Sequence, residues 1–266
     1  MGDRKMYLVG QEKNKELIDN GKLDNASFIL IKGPKNYGKT YLAKYIAEHY
    51  KMDYILLDNK VDTIRQLVDN SNKNNNCLYH FKDFDKSSPA AKAALLKIAE
   101  ETPKGVKIIV TTSAYNFLGT LVSRAYVLNI APYSDKDINE YSHNLNLSDM
   151  LLEKLTNSYL DLTPTLLFKL KDNEDTADIL DIANETIECI NKGLTLEDAS
   201  KISSKFWKDD KDGLLLYLDV LSRSCNKLQF AHYNIVNVIE QTKFILNKVA
   251  VSNYRNLVHN MLMEMV

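Results

Sequence analysis

Cysteine is scarce in this chain. The three residues Cys77, Cys189 and Cys225 lie far apart with no CxxC pair. That excludes a zinc site of the usual spacing and a disulfide framework. An excess of charge is also missing: 34 Lys+Arg stand against 35 Asp+Glu, for a net charge of −1. Bulk attraction to nucleic acid is thereby excluded, though a local basic face is not. No apolar run approaches the ~18 residues that span a bilayer. The opening MGDRKMYLVG lacks the apolar stretch of a secretory signal. Met6 stands where a myristoylation signal needs Ser or Thr. The five histidines (His49, His80, His143, His232, His259) are scattered and form no metal or triad pattern. What remains is a globular composition, 45% hydrophobic and 26% charged over 266 residues, expected to be a soluble, cytoplasmic chain of one large or two to three compact domains.

The first half alternates short apolar runs with longer periodic ones. Residues 28–32 (FILIK), 54–58 (YILLD), 77–81 (CLYHF), 107–111 (KIIVT) and 126–130 (YVLNI) read as strands. Helical patterns fall between them at 40–50, 61–68 and 89–101. This alternation predicts an α/β fold with a parallel sheet covered on both faces. The Asn-rich DNSNKNNN at 69–76 reads as a loop. After Ala131-Pro132 the alternation stops, and helical patterns follow at 135–144, 147–157, 163–170, 214–222, 233–249 and 253–265, broken by DNED at 172–175. The expected units are 1–132 (α/β), 133–173 (a small helical domain) and 174–266 (a helical remainder).

Gly33-Pro34-Lys35-Asn36-Tyr37-Gly38-Lys39-Thr40 fits G-x-x-x-x-G-K-[ST] between a strand and a helix, the setting that a phosphate loop requires. The glycines let backbone N–H groups turn toward phosphate oxygens, and the helix N-terminus adds partial positive charge. Lys39 is expected to reach the β- and γ-phosphates, and the Thr40 hydroxyl to ligate Mg²⁺.

Around this loop stands an ordered series: Val9-Gly10-Gln11, Val61-Asp62-Thr63-Ile64-Arg65-Gln66-Leu67, Ala94-Leu95-Leu96-Lys97 through Glu100-Glu101-Thr102-Pro103, Thr111-Thr112-Ser113, and Ser123-Arg124-Ala125. The series resembles the AAA+ clamp-loader subunits, especially the gamma/tau and delta-prime subunits of bacterial DNA polymerase III. The likeness is tightest over residues 8–132; beyond them, 251–265 looks like the last helix of the family's C-terminal collar. It implies a P-loop AAA+ domain, a helical lid and a helical collar. ATP with Mg²⁺ is the implied cofactor, with adenine near Val9 and Gly10. The implied partners are other clamp-loader subunits, a sliding clamp and primed DNA, the last through Lys86, Lys92 and Lys97. Membrane is not among them.

The departures bear on activity. The family's four-cysteine zinc module is absent. Its Asp-Glu pair falls on Lys82 and Asp83, and a Lys cannot ligate a cation. A one-residue slip gives Asp83 the metal role and leaves Phe84 where the catalytic Glu belongs. The sensor Arg of the small helical domain is matched by Thr165, with Lys169 one turn later. Thr112 aligns with the residue that senses the γ-phosphate. Arg124 aligns with an arginine finger that serves a neighbouring subunit, its Ser-Arg-Cys motif reading Ser-Arg-Ala here. Asp83, Thr112 and Arg124 are thus the catalytic candidates. The expectation is a weakly hydrolysing or stator-like clamp-loader subunit. The rivals are a non-enzymatic AAA+ scaffold with a relic site and another AAA+ DNA motor.

Overall fold

A computed structural model describes residues 8–71, 76–114, 117–147, 151, 155, 162–171, 176–206, 211–227, 233–248, 251 and 253–266. The chain divides into two compact units, Met1–Ile138 and Asn139–Val266.

The first unit is built on five strands: β1 (Phe28–Lys32), β2 (Asp53–Leu57), β3 (Cys77–Phe81), β4 (Val106–Thr112) and β5 (Tyr126–Asn129). They form one sheet in the order β2-β3-β4-β1-β5, with every pairing parallel. Parallel neighbours need crossovers, which here include α2 (Lys39–His49), α3 (Val61–Ser71) and α4 (Pro89–Glu100). α1 (Glu12–Asp19) precedes β1, and the short α5 (Gly119–Val122) precedes β5. The loop expected at 69–76 begins later than that, because α3 continues to Ser71.

The pleat explains why the strands are apolar throughout. Successive side chains point to opposite faces, so a sheet covered on both sides needs apolar residues at every position. Phe28 and Leu30 join Tyr79, Phe81, Ile108 and Val110 in a core with Ile64 of α3 and Leu95 of α4. Ile29 and Ile31 join Leu78 and Ile109 in a second core with Ile18 of α1 and Leu42 and Ile46 of α2. Two buried layers therefore hold β1 between them, and the loop at 33–38 leaves from its end.

In the second unit the described helices are the end of α6 (Asp135–Asn144), α7 (Pro164–Lys171), α8 (Thr176–Lys192), α9 (Leu196–Ser203), α10 (Lys211–Lys227), α11 (Tyr233–Lys248) and α12 (Tyr254–Met263). α10 packs against α8 and α11, and α9 against α12. Tyr217 is fully buried and shares a hydrogen bond with Thr186 of α8 at 3.0 Å. Thr195 caps α9 in a reciprocal box with Asp198, which satisfies helix-end N–H groups. Phe206 packs on Tyr217 with ring centroids 4.6 Å apart; its neighbour Trp207 and the DNED break lie outside the described residues, as does most of the expected helix at 147–157. Among the described residues, no helix is long and apolar enough to cross a membrane.

Candidate functional site

The candidate site forms at the C-terminal ends of β1, β3 and β4. β1 ends at Lys32 and α2 begins at Lys39, so residues 33–38 must turn the chain within one short loop. Gly38 makes the turn possible. It sits in left-handed backbone at φ +81, and a Cβ there would lie 2.8 Å from the Tyr133 hydroxyl. As N-cap of α2 it offers no side-chain acceptor. The first N–H groups of the helix are left to whatever anion meets them.

Lys39 turns back into the loop and is only 6% exposed. The ammonium donates to the carbonyls of Gly33 (2.8 Å) and Pro34 (2.6 Å) and to Ser113 Oγ (2.9 Å). Burial, with a smaller push from Lys82, lowers its pKa to about 8 against the opposing pull of Asp83 and Asp85. Thr40 is half-buried at the first turn of α2. Gly33 N–H donates to the Thr112 carbonyl at 3.2 Å, which ties the loop to β4.

The segment before α1 closes on the same loop. Gln11 bonds both ways with the backbone of Ala131, at 3.0 and 3.1 Å. Asn14 donates to Gln11 and to the Asn129 carbonyl, each at 2.9 Å. This latch holds Val9 and Gly10 beside the end of β5. Gly10 is at φ +62, and a Cβ there would approach Tyr133 Cδ1 to 2.8 Å. Tyr133 stacks on Tyr37 at 5.6 Å, and its hydroxyl donates to the Tyr37 carbonyl at 3.1 Å. Val9-Gly10 and the loop at 33–40, well separated in the sequence, therefore converge through Tyr133. Sequence reasoning passed over Tyr133, which no motif marks.

The acidic turn follows β3. Lys82 is exposed and Asp83 half-buried. Asp83 is in left-handed backbone at φ 51 and opens a 3-10 turn over Phe84–Lys86. Its N–H donates to Thr111 Oγ1 at 3.1 Å. Phe84 is fully buried in the core, so no catalytic carboxylate is supplied from that position. The Pro89 helix is capped by Ser88, which accepts from the Ala91 N–H, and not by Asp83 or Asp85. Lys92 donates to the Asp85 carbonyl at 2.8 Å, whereas Lys86 and Lys97 are exposed.

Beneath the turn, His80 is fully buried between Tyr54 (2.6 Å to Nδ1) and Thr111 (3.3 Å to Nε2). Burial lowers its pKa to about 4, with Lys82 and Lys44 adding to the effect. It is a neutral structural ring.

Arg124 lies elsewhere. Tyr126 pairs with Ile29, whereas the loop leaves β1 after Lys32, so about 13 Å of strand separates the two ends. Its guanidinium bonds Glu100 at 2.6 Å and the Thr120 carbonyl at 2.9 Å. In the second unit, Thr165 is half-buried in α7; the Lys169 side chain lies outside the described residues.

Comparison with known proteins places this architecture. A family model described as DNA polymerase III, delta subunit, matches residues 51–134, the stretch from β2 to just past β5. A solved structure of a DNA polymerase III, gamma subunit-related protein from Thermotoga maritima superposes with a TM-score of 0.52 at 14% identity, covering 95% of this chain and 98% of that one. The chain has the fold of that gamma subunit-related protein, and its residues 51–134 resemble the delta subunit family. The chain is also similar to Thermotoga maritima RuvB. One mutant form of RuvB superposes with a TM-score of 0.47 at 14% identity, covering 92% of this chain and 80% of that one. The structure described as the Holliday junction branch migration motor gives 0.45 at 14% identity, with 90% and 76% covered. No curated protein matches the chain in sequence.

The residues of the loop suit a polyphosphate with Mg²⁺: an uncapped helix N-terminus, a glycine turn, a buried ammonium, the Thr40 hydroxyl and a nearby acidic turn. Among the described residues, no group of three or more His, Cys, Asp or Glu is placed to hold a metal. A cation here would depend on the phosphates and water for most of its ligands, as Mg²⁺ commonly does.

Proposed function

We propose that this protein binds ATP with Mg²⁺ and acts as a weakly hydrolysing or stator-like subunit in a ring that loads a sliding clamp on primed DNA. The observation that carries this reading is Lys39, buried at the uncapped start of α2 with its ammonium on the phosphate loop. Residues 33–40 would wrap the phosphates, and Thr40 and Asp83 would hold the cation. Val9 and Gly10, latched beside Tyr133, would border the adenine. Bound Mg²⁺ would neutralise phosphate charge and orient the terminal group.

Hydrolysis is slow in this reading because the pair keeps one carboxylate, Asp83. With Asp83 on the cation, the buried Phe84 leaves no base to take a proton from water; with Lys82 on the metal position, the cation loses its ligand. Thr112 is the residue that the resemblance assigns to contact with the terminal phosphate. Arg124 would serve a neighbouring subunit: its place at the far end of the sheet from its own loop supports a role in trans, and its planar fork of donors suits phosphate oxygens. Its pair with Glu100 would have to open, which for an exposed ion pair costs about 0–1 kcal/mol. Residues 133–173 would form the lid and 174–266 the collar through which related subunits assemble.

The test is calorimetric. Lys39→Ala should reduce ATP affinity by about 100-fold, the loss of a buried charged contact. Equal affinity in wild type and Lys39→Ala would remove the nucleotide reading and leave the scaffold rival.

A further inference from the structure

We propose that His80, pinned by Tyr54, is a positioning residue that acts through Thr111 to aim Asp83 at the bound cation. The inference rests on the nucleotide reading above, which puts the cation on Asp83, and it names what holds that carboxylate in place.

The pleat brings the residues together. Leu78 of β3 and Ile109 of β4 belong to the core with α1 and α2, and Tyr54 of β2 packs against it. Alternate side chains of a strand share a face, so His80 and Thr111 face the same layer as Tyr54. His80 lies opposite Leu56 and Ile109. Tyr54 is therefore its diagonal neighbour toward one end of the sheet, and Thr111 its diagonal neighbour toward the other. The imidazole fills that diagonal: the Tyr54 hydroxyl is 2.6 Å from Nδ1, and Thr111 Oγ1 is 3.3 Å from Nε2.

A neutral imidazole has one N–H and one acceptor nitrogen. With Tyr54 donating to Nδ1, Nε2 donates to Thr111; the other tautomer reverses both bonds. In each case Thr111 Oγ1 keeps a lone pair for the N–H of Asp83, which it takes at 3.1 Å. His80 and Thr111 are both fully buried, so each bond is made in a setting where a lost partner is costly.

Asp83 needs such a hold. It is a non-glycine residue in left-handed backbone at φ 51, where crowding around Cβ opposes it. The bond from its N–H to Thr111 fixes the turn that carries its carboxylate. Burial lowers the Lys39 pKa, and the charge of Asp83 is the strongest pull against that burial, which agrees with a carboxylate aimed at the loop. Asp85, the other acid of the turn, is engaged at the end of β4, where its Oδ1 accepts the Ser113 N–H at 3.2 Å. His80 touches neither the loop nor the cation; it acts through the Thr111 hydroxyl on the backbone of Asp83.

The experiment has two readouts on the full chain. The first is the ratio of ATP affinities in Mg²⁺ and in EDTA, by calorimetry. His80→Phe keeps a ring but makes neither bond, and should reduce that ratio about tenfold, the low end for losing a partner behind a metal ligand. Affinity in EDTA should not change. Thr111→Val should do the same, whereas His80→Gln and Thr111→Ser, which keep hydrogen-bonding groups, should recover most of the ratio. Tyr54→Phe, one bond farther away, should lose about threefold, part of the same effect. The second readout is hydrogen exchange at the Asp83 amide without nucleotide, by NMR, which should be about tenfold faster in His80→Phe and Thr111→Val. Should His80→Phe fail to fold, Thr111→Val and Tyr54→Phe carry the same test. A ratio and an exchange rate that both stay at wild-type values overturn the proposal. So does an ATP affinity that falls equally in Mg²⁺ and in EDTA, the mark of general damage. An Asp83→Asn ratio equal to wild type also overturns it, because the cation is then not on Asp83. A wild-type chain that binds no ATP in either condition refutes the nucleotide reading itself, and the proposal with it.

Discussion

Among the described residues of the α/β unit, two lysines are buried, one at each end of the sheet. Lys39 lies at the C-terminal end and Lys107 at the N-terminal end, 6% and 8% exposed. Both rest on backbone carbonyls. Lys107 donates to the carbonyls of Leu23 (2.6 Å), Asp24 (3.2 Å) and Ala26 (2.8 Å), and its ammonium sits 4.6 Å from the centroid of the Tyr50 ring. Burial lowers the pKa of each, against the opposing pull of nearby aspartates. What differs is the setting. Lys107 closes a knot: Tyr50 covers it and donates its own hydroxyl to Asp24 at 2.9 Å. Lys39 sits at an uncapped helix start, beside a serine hydroxyl and an acidic turn. The same chemistry, an ammonium on carbonyls, is a structural clamp at one end and, in the function proposed above, a binding group at the other. Burial of a lysine alone does not mark a site; the groups that face the ammonium do.

The comparison is broken most directly by exchanging the two ammonium groups for methyl thioethers. Lys107→Met should destabilise the chain by about 3 kcal/mol, because carbonyls that held a buried charge lose their donor, with ATP affinity within about twofold of wild type. Lys39→Met should cost about 1 kcal/mol or less, since the Gly33 and Pro34 carbonyls border a loop that water reaches. Urea unfolding of both variants measures this, and equal losses would erase the distinction between clamp and site.

His80 sharpens the contrast, because it is a buried base with no carbonyl cradle. Its folded pKa of about 4 lies below its ordinary 6.5. The unfolded chain therefore takes up a proton that the folded chain refuses. The contribution is complete above pH 6.5 and is lost as pH falls toward 4. Between pH 7 and 5 the wild type should lose about 2 kcal/mol more than His80→Asn. Parallel pH profiles in urea melts would show that the ring is not held neutral.

The smallest effect belongs to Arg124, at the same end of the sheet as Lys107 but on the surface. Arg124→Ala should change stability by less than about 1 kcal/mol, as exposed ion pairs do, and leave the chain's own ATP affinity alone. A large loss in thermal melts would make Arg124 a second structural clamp.

Much of the α/β unit was legible because its signals are local. The strands at 28–32 and 77–81 appear with the expected bounds, and the others shift by a residue or so. An apolar run between turn signals needs no distant partner to be recognised. The helix at 135–144 matches its expected bounds as well. Other helices escaped notice. α8 and α9 read as an undifferentiated helical stretch, and α1, at 12–19, carries a charged sequence with few apolar positions. It is held by Ile18 in the core and by the bonds of Gln11 and Asn14 to the end of β5.

The sequence by itself determined the alternation of strand and helix, the G-x-x-x-x-G-K-T loop between β1 and α2, and the absence of an adjacent Asp-Glu pair over Lys82–Phe84. Each is a matter of residue type at short spacing, which propensity and motif chemistry read directly. Only the tertiary structure decided the strand order, the meeting of Gly10 with Tyr133, the burial of Lys107, and the pairing of Ser113 with Lys39 and Asp85. Those depend on which strands lie side by side and which way the pleat turns each side chain. Lys39 and Ser113 are 74 residues apart, and nothing local to either one encodes the other; the insertion of β4 beside β1 brings them to 2.9 Å.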